Sequence, residues 1–250
     1  MLFRSQKTSL TSLMVLNLNG SAFTLSHKAW EAGLRPFGAY TNFAEFAKNL
    51  RDYIRSLNKP PIFAVESFWA IDNYLLRYLL AAANIDPERE IEWLELPPSQ
   101  CADKLQAGAI HGYCTSDPWN QKAVQQKAGF VVCTSRSIWK GHPGKVLAAM
   151  DGWVNKYPTT AKVLVAALLE ACQFCDRPEN HQEVAQILSQ SKYLNVPATD
   201  IEVSLSGNYI YSKLEPEILS AEVPDFEIFH FQKTSYLQPP NQAKIGRAHV

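Results

Sequence analysis

PPIFAVESFWAIDNYLLRYLLAAANIDPEREIEWLELPPSQCADKLQAGAIHGYCTSDPWNQKAVQQKAGFVVCT, residues 60–134, decides the fold by its alternation. Pro61–Glu66 (PIFAVE) is a short apolar run behind two prolines and predicts a strand. Asn73–Ala83 places Leu76, Leu79, Leu80 and Ala83 on one stripe at helical spacing. Ile91–Leu96 predicts a second strand, and Ser99–Gln106 a helix ended by Gly108. Ala109–Thr115, Asn120–Lys127 and Phe130–Thr134 continue as strand, helix and strand. Strands joined by helices run the same way and pair in parallel, so the fold class is α/β. In open α/β sheets ligands lie beyond the carboxyl ends of the strands. That directs attention to Glu66–Asp72 and Ser116–Trp119.

Upstream, residues 42–57 predict a long helix with Phe43, Phe46, Ala47, Leu50, Ile54 and Leu57 as its apolar stripe. Asn42 and Glu45 have capping-box spacing. Downstream, residues 138–192 read as mostly helical. Thr159–Cys175 carries Leu164, Ala167, Leu168, Ala171 and Cys175 on one face, and Asn180 with Glu183 starts a helix reaching about Gln190. After residue 200 the pattern is irregular and β-like. Chain crossings near residues 59 and 118 would divide the molecule into one lobe of 60–117 and a discontinuous lobe of 6–59 with 118–244. Two crossings are what a hinged clamp requires.

Composition bounds the function. The 250 residues carry 24 basic and 24 acidic side chains, and 46% are apolar. A balanced charge gives no electrostatic footprint for nucleic acid. No apolar run reaches the length of about 18 residues that a membrane span needs. The five cysteines (Cys101, Cys114, Cys133, Cys172 and Cys175) are odd in number and mostly in apolar contexts, which reads as buried free thiols. Cys172 and Cys175 form a C-x-x-C inside a helical pattern, not at the helix start that would activate a redox thiol. His27, His111, His181 and His230 are scattered without metal-ligand spacing, so no metal and no cofactor are expected. G-x-S-x-G, H-E-x-x-H and P-loop motifs are absent, and the chain is read as a binding protein, not an enzyme. Residues 1–5 (MLFRS) and 245–250 (IGRAHV) read as translated adapter scars around an interior piece of a longer reading frame.

Six stretches carry a family resemblance: NGSAFTLSHKAWEAG (19–33), DNYLLRYLLAAANIDPE (72–88), LELPPSQ (94–100), LQAGAIHGYCTSDPWNQKAV (105–124), IWKGHPGKVLAAMDGWVNKYPTTAK (138–162) and LLEACQFCDRPENHQEVAQILS (168–189). Together they resemble the nitrate- and bicarbonate-binding proteins of ABC transporters. The resemblance implies a two-lobed type II periplasmic-binding-protein-like fold, incomplete at both ends. It implies a small oxyanion or related small solute as ligand and ABC permease and ATPase subunits as partners. A periplasmic or membrane-anchored transport component is one reading. A cytoplasmic regulatory domain, fused to the ATPase or acting as a free nitrate sensor, is the other.

The resemblance also places the anion at the start of the helix matching Asn73–Ala83, where free N–H groups and the helix dipole favour negative charge. A family histidine that donates to the anion falls on Asp72, and a family glutamine falls on Ser21. An ionised Asp72 about 4 Å from an anion would repel it by on the order of 4 kcal/mol at an effective dielectric of about 20. Asp72 has two readings, helix cap and ligand contact. Trp119 either lines the cleft or packs in the hinge, and Asp117 either caps the following helix or meets ligand. Lys140 and Lys145 either complement an oxyanion or lie on the surface, and His142, before a proline, reads as a turn residue.

Overall fold

A computed structural model describes residues 9–216 and 218–229. The stretches read as adapter scars and His230 lie outside them. The chain opens with strands β1 (Leu10–Val15), β2 (Leu18–Asn19) and β3 (Ser21–Ser26), then helices α1 (His27–Glu31) and α2 (Phe43–Ser56). The decisive stretch follows as β4 (Ile62–Val65), α3 (Ile71–Ala82), β5 (Glu92–Glu95), α4 (Pro98–Gln106), β6 (Gly112–Ser116), α5 (Trp119–Gln125) and β7 (Gly129–Thr134). Next come α6 (Ser135–Ile138), β8 (Val146–Met150), α7 (Asp151–Lys156), α8 (Pro158–Cys175) and α9 (His181–Leu188). The last elements are α10 (Ala198–Ser206), β9 (Asn208–Ser212), β10 (Leu219–Glu222) and β11 (Glu227–Ile228).

Five strands form one sheet in the order β5-β4-β6-β3-β7. β4 pairs in parallel with β5 and β6, as alternation requires, but β3 lies antiparallel between β6 and β7. Every residue of β3 is buried. Its central Thr24 remains satisfied because its hydroxyl donates to Asn120 Oδ1 at 2.8 Å. One face of the sheet packs Phe23, Phe63 and Phe130 against Phe46, Leu50, Leu76 and Leu80 of α2 and α3. The other packs Ala64 and Tyr113 against Cys101, Leu105 and Ala123 of α4 and α5. α2 starts as its capping residues require: Asn42 Oδ1 accepts from Glu45 N, and Glu45 Oε2 accepts from Thr41 N.

The boundaries expected at residues 59 and 118 fall inside this sheet. β3 and β7, assigned to the other lobe, pair with strands of 60–117 or with each other. The chain instead leaves the sheet unit at residues 16–19 and 141–145, which run side by side. Leu16 N donates to Lys145 O (2.8 Å), Gly144 N to Asn17 O (2.8 Å) and Asn19 N to His142 O (3.0 Å). β11 adds a third strand by pairing with β2.

Beyond the crossing, β1 and β8 form a two-stranded antiparallel sheet. α8 packs there, with Val165 and Cys172 against Met14 and Leu168 and Leu169 flanking. The buried face of α8 is therefore Ala161, Val165 and Cys172, while Leu164, expected to face inward, is 40% exposed. The helix is apolar nearly all round, so periodicity alone did not select the face. β8 interrupts the stretch read as helical because pairing with β1 overrides the propensity of Leu, Ala and Met. The C-terminal hairpin β9–β10 returns to the sheet unit, where Tyr209, Val223 and Phe226 pack on Ala22, Val124 and Val131.

Candidate functional site

The register of β3 defines one end of the sheet. Ser21, its first residue, pairs with Ser116, the last residue of β6, and Ser21 N donates to Ser135 Oγ just past β7 (3.2 Å). β4 ends at the same edge, and the turn 67–70 leads into α3. That turn is held from two sides. Glu95 Oε1 accepts from Phe68 N (2.6 Å), and Asn73 Nδ2 donates to Phe68 O (2.8 Å). Phe68 and Trp69 stay exposed on it, Trp69 by 79%.

α3 begins at Ile71, with Ala70 as N-cap and no side-chain cap. Asp72 therefore sits in the first turn, not in the capping position expected of it, because the helix starts two residues earlier than Asn73. Its side chain is buried, with 4% relative exposure, and Oδ1 has no hydrogen-bond partner among the described residues. Burial raises the Asp72 pKa. A hydrogen bond from Ser21 and the charges of Lys145 and His142 oppose that rise, and Glu66 adds to it. Ser21, Asp72 and Lys145, three of the expected ligand-binding residues, thus converge from distant parts of the chain.

His142, expected in a turn, is fully buried, and the Asp72 charge acts on its ring. Its Nδ1 lies 3.1 Å from Pro143 O. A carbonyl only accepts, so Nδ1 carries the proton. Burial lowers the His142 pKa, which leaves a neutral ring with Nε2 as an acceptor, and Nε2 has no partner. The sequence signal for His142 was present in the W-x-x-H-P-x-K block at 139–145, but burial is a tertiary property.

Two expected residues lie elsewhere. Trp119 packs with Ala185, Val196 and Ile201 under α9 and α10, and its carbonyl accepts from the Tyr113 hydroxyl (2.8 Å). Lys140 is exposed and pairs with Asp225 (3.1 Å). Asp117 takes the capping role: Oδ1 accepts from Asn120 N (3.2 Å) and Nδ2 (2.8 Å), and Oδ2 from Ser204 Oγ (2.9 Å). The cysteines are free thiols, four of them buried. Among the described residues no His, Cys, Asp and Glu side chains gather as a metal group, and no helix is long and apolar enough to cross a membrane.

The crossing strands carry their own partly buried acid, Glu227. Asn17 Oδ1 accepts from Lys145 N (2.8 Å), and Asn17 Nδ2 donates to Glu227 Oε1 (2.7 Å). Burial pushes the Glu227 carboxyl up to about 8, against the Asn17 hydrogen bond. Between its unfolded value, 4.5, and about 8 the folded chain holds a proton that the unfolded chain has lost. Stability is therefore greatest at acidic pH and falls as pH rises through that window, by at most about 1.4 kcal/mol per pH unit. Glu227→Gln keeps the acceptor for Asn17 and cannot ionise. Its stability relative to wild type should rise from acidic to mildly alkaline buffer in urea titrations, and a constant difference would contradict the assignment.

A parallel-containing sheet, a helix end with buried polar groups at the strands' carboxyl edge and paired chain crossings beside it together define a periplasmic-binding-protein fold. The crystal structure of the periplasmic nitrate-binding protein NrtA from Synechocystis superposes with a TM-score of 0.79 at 26% identity, covering 91% of this chain and 56% of that one. The chain belongs to the NMT1-like family, whose pattern matches residues 2–189. It is 37% identical over 197 residues to the bicarbonate transport ATP-binding protein CmpC of Synechococcus elongatus, covering 79% of this chain and 28% of CmpC. It is also 37% identical over 232 residues to the nitrate import ATP-binding protein NrtC of Synechocystis sp., covering 91% of this chain and 32% of NrtC. The chain thus spans about a third or less of the length of these relatives.

Proposed function

We propose that this chain is the solute-binding module of an ABC importer for nitrate, nitrite, bicarbonate or a related small solute. The ligand sits at the α3 N-terminus between Ser21, Asp72, His142 and Lys145. The observation that carries this reading is the convergence of these residues at the sheet's carboxyl edge, beside the paired crossings, in a chain that superposes on a nitrate-binding protein. Binding, not catalysis, is the role: the helix dipole and Lys145 attract a small polar ligand, and movement about residues 16–19 and 141–145 closes over it. Transport then uses the closed form as the signal read by permease and ATPase subunits, which places the module in the periplasm or anchored to the membrane.

A second reading is favoured by one observation, the 37% identity to ATP-binding subunits over most of this chain. In that reading the same cleft belongs to a cytoplasmic regulatory domain joined to an ATPase. A long sequencing read through the source locus separates the two: a leader beside permease genes means the importer component, and an ATPase domain in frame means the regulator.

Trp69 tests the site itself. Exposed next to the Asp72 turn, it should change its fluorescence when the chain is titrated with bicarbonate or nitrate. Trp69→Phe should remove most of that change, and Trp119→Phe should leave it. A signal lost with Trp119 and kept with Trp69 would move the ligand away from α3.

A further inference from the structure

We propose that a pocket between α2, α3 and α6 is a second binding site, which takes a small neutral aromatic molecule bearing a hydroxyl group, a phenol in chemical class. It does not depend on the solute position at the start of α3. The pocket lies along the C-terminal half of that helix, where Leu79 is roughly 10 Å along the axis from Asp72. Its volume is about 240 Å³. The lining runs from the buried side chains of Phe46, Leu79 and Cys133 to Phe43 and Tyr78, which are 38% and 66% exposed. An apolar cavity of about 150 Å³ already stays dry and takes up benzene, so the size suits one substituted ring. Phe37, Phe43 and Phe46 meet in edge-on and tilted pairs, with centroids 5.3 Å, 6.1 Å and 6.3 Å apart. An aromatic guest extends such a cluster in the geometry that rings prefer, and covers apolar surface now left in water.

Charge sets the ligand class. Among the described residues that line the pocket there is no Asp, Glu, Lys, Arg or His. Cys133 is neutral as well, since burial pushes its thiol up to about 12. A charged ligand would lose hydration there without gaining a counter-charge, which separates this pocket from the anion position at the α3 turn. Ser137 and Tyr78 supply hydroxyls on the exposed side. Ser137 Oγ shares a hydrogen bond with Thr134 Oγ1 (3.1 Å) and keeps capacity for another. A phenol turns its ring to Phe46 and its hydroxyl to these groups.

Fluorine NMR of para-fluorophenol with the whole chain at neutral pH tests this. Binding should appear with a Kd on the order of 0.1–1 mM, in keeping with so small a ligand. The anion para-fluorobenzoate should bind at least about tenfold more weakly. Saturating sodium bicarbonate should leave the phenol bound. Ala82→Leu adds bulk at an exposed helical position of the lining, and should weaken the phenol at least about fivefold with little change in thermal stability. No phenol binding at millimolar concentration, or equal binding of phenol and benzoate, would overturn the proposal and leave the solute reading at α3 untouched. Displacement by bicarbonate would overturn it by merging the two sites. Self-association of the wild type in sedimentation that Ala82→Leu abolishes would overturn it too, because the pocket then receives a side chain of a second copy. The comparison of the two probes on the wild type decides the question even where the variant does not fold.

Discussion

Asp117→Ala is expected to lower the unfolding free energy by about 3–5 kcal/mol. The carboxylate ties the end of β6 to α5 and α10. It accepts from the backbone and side chain of Asn120 at the start of α5, and from Ser204 on α10. Asn120 is fully buried, and its Nδ2 also donates to Thr115 O while Oδ1 accepts from Thr24. Truncation therefore strands buried donors and loosens a network reaching the centre of β3. Burial pushes Asp117 up to about 6 despite these hydrogen bonds, so its charge is costly and its partners are what keep it tolerable. Asp117→Asn retains one acceptor and should recover part of the loss. In urea unfolding, Ser204→Ala should cost less in the Asp117→Ala background than in wild type, since their common bond is already gone. Fully additive effects would show that α10 docks by its apolar face alone.

The sequence made the four strands and three helices between residues 60 and 134 legible because each is a contiguous apolar run or stripe bounded by Pro or Gly. It did not reveal that SAFTLS at 21–26 enters the middle of that sheet. Three of those six residues are hydroxylic, and the partners lie on β6 and β7, far along the chain. A strand inserted between β6 and β7 carries its flanking segments with it. The site divides the same way. Ser21, Asp72 and Lys145 come from the family resemblance, and the structure brings Ser21 and Lys145 to the Asp72 carboxyl. Lys140 is five residues before Lys145, yet its side chain meets Asp225 instead. Trp119 is covered by helices arriving much later in the chain. The proline beside His142 is a local feature and predicts a turn, whereas its full burial depends on tertiary packing.

The crossing strands give the other large effect. Gly144→Ala is expected to cost about 3 kcal/mol and to weaken solute binding, because an added methyl group has no place to go. A Cβ at Gly144 would stand 2.6 Å from Asn17 Oδ1 and 2.7 Å from Nδ2. Asn17 cannot move aside freely, since it holds Lys145 N with one atom and Glu227 with the other. Displacing it leaves two groups without partners, each worth about 1–3 kcal/mol when buried. It also shifts the backbone that sets His142 and Lys145 at the site, so affinity and stability should fall together. Gly152 is the control: a Cβ there meets nothing within 4 Å, and it lies in helix α7. Gly152→Ala should be neutral or stabilising by up to about 1 kcal/mol. Thermal unfolding and bicarbonate titration of the two variants give the comparison. Loss of stability in Gly144→Ala with unchanged affinity would mean that the crossing holds the lobes together without positioning the ligand. Loss of affinity alone would mean that Asn17 moves at little cost and that its contact with Glu227 governs closure.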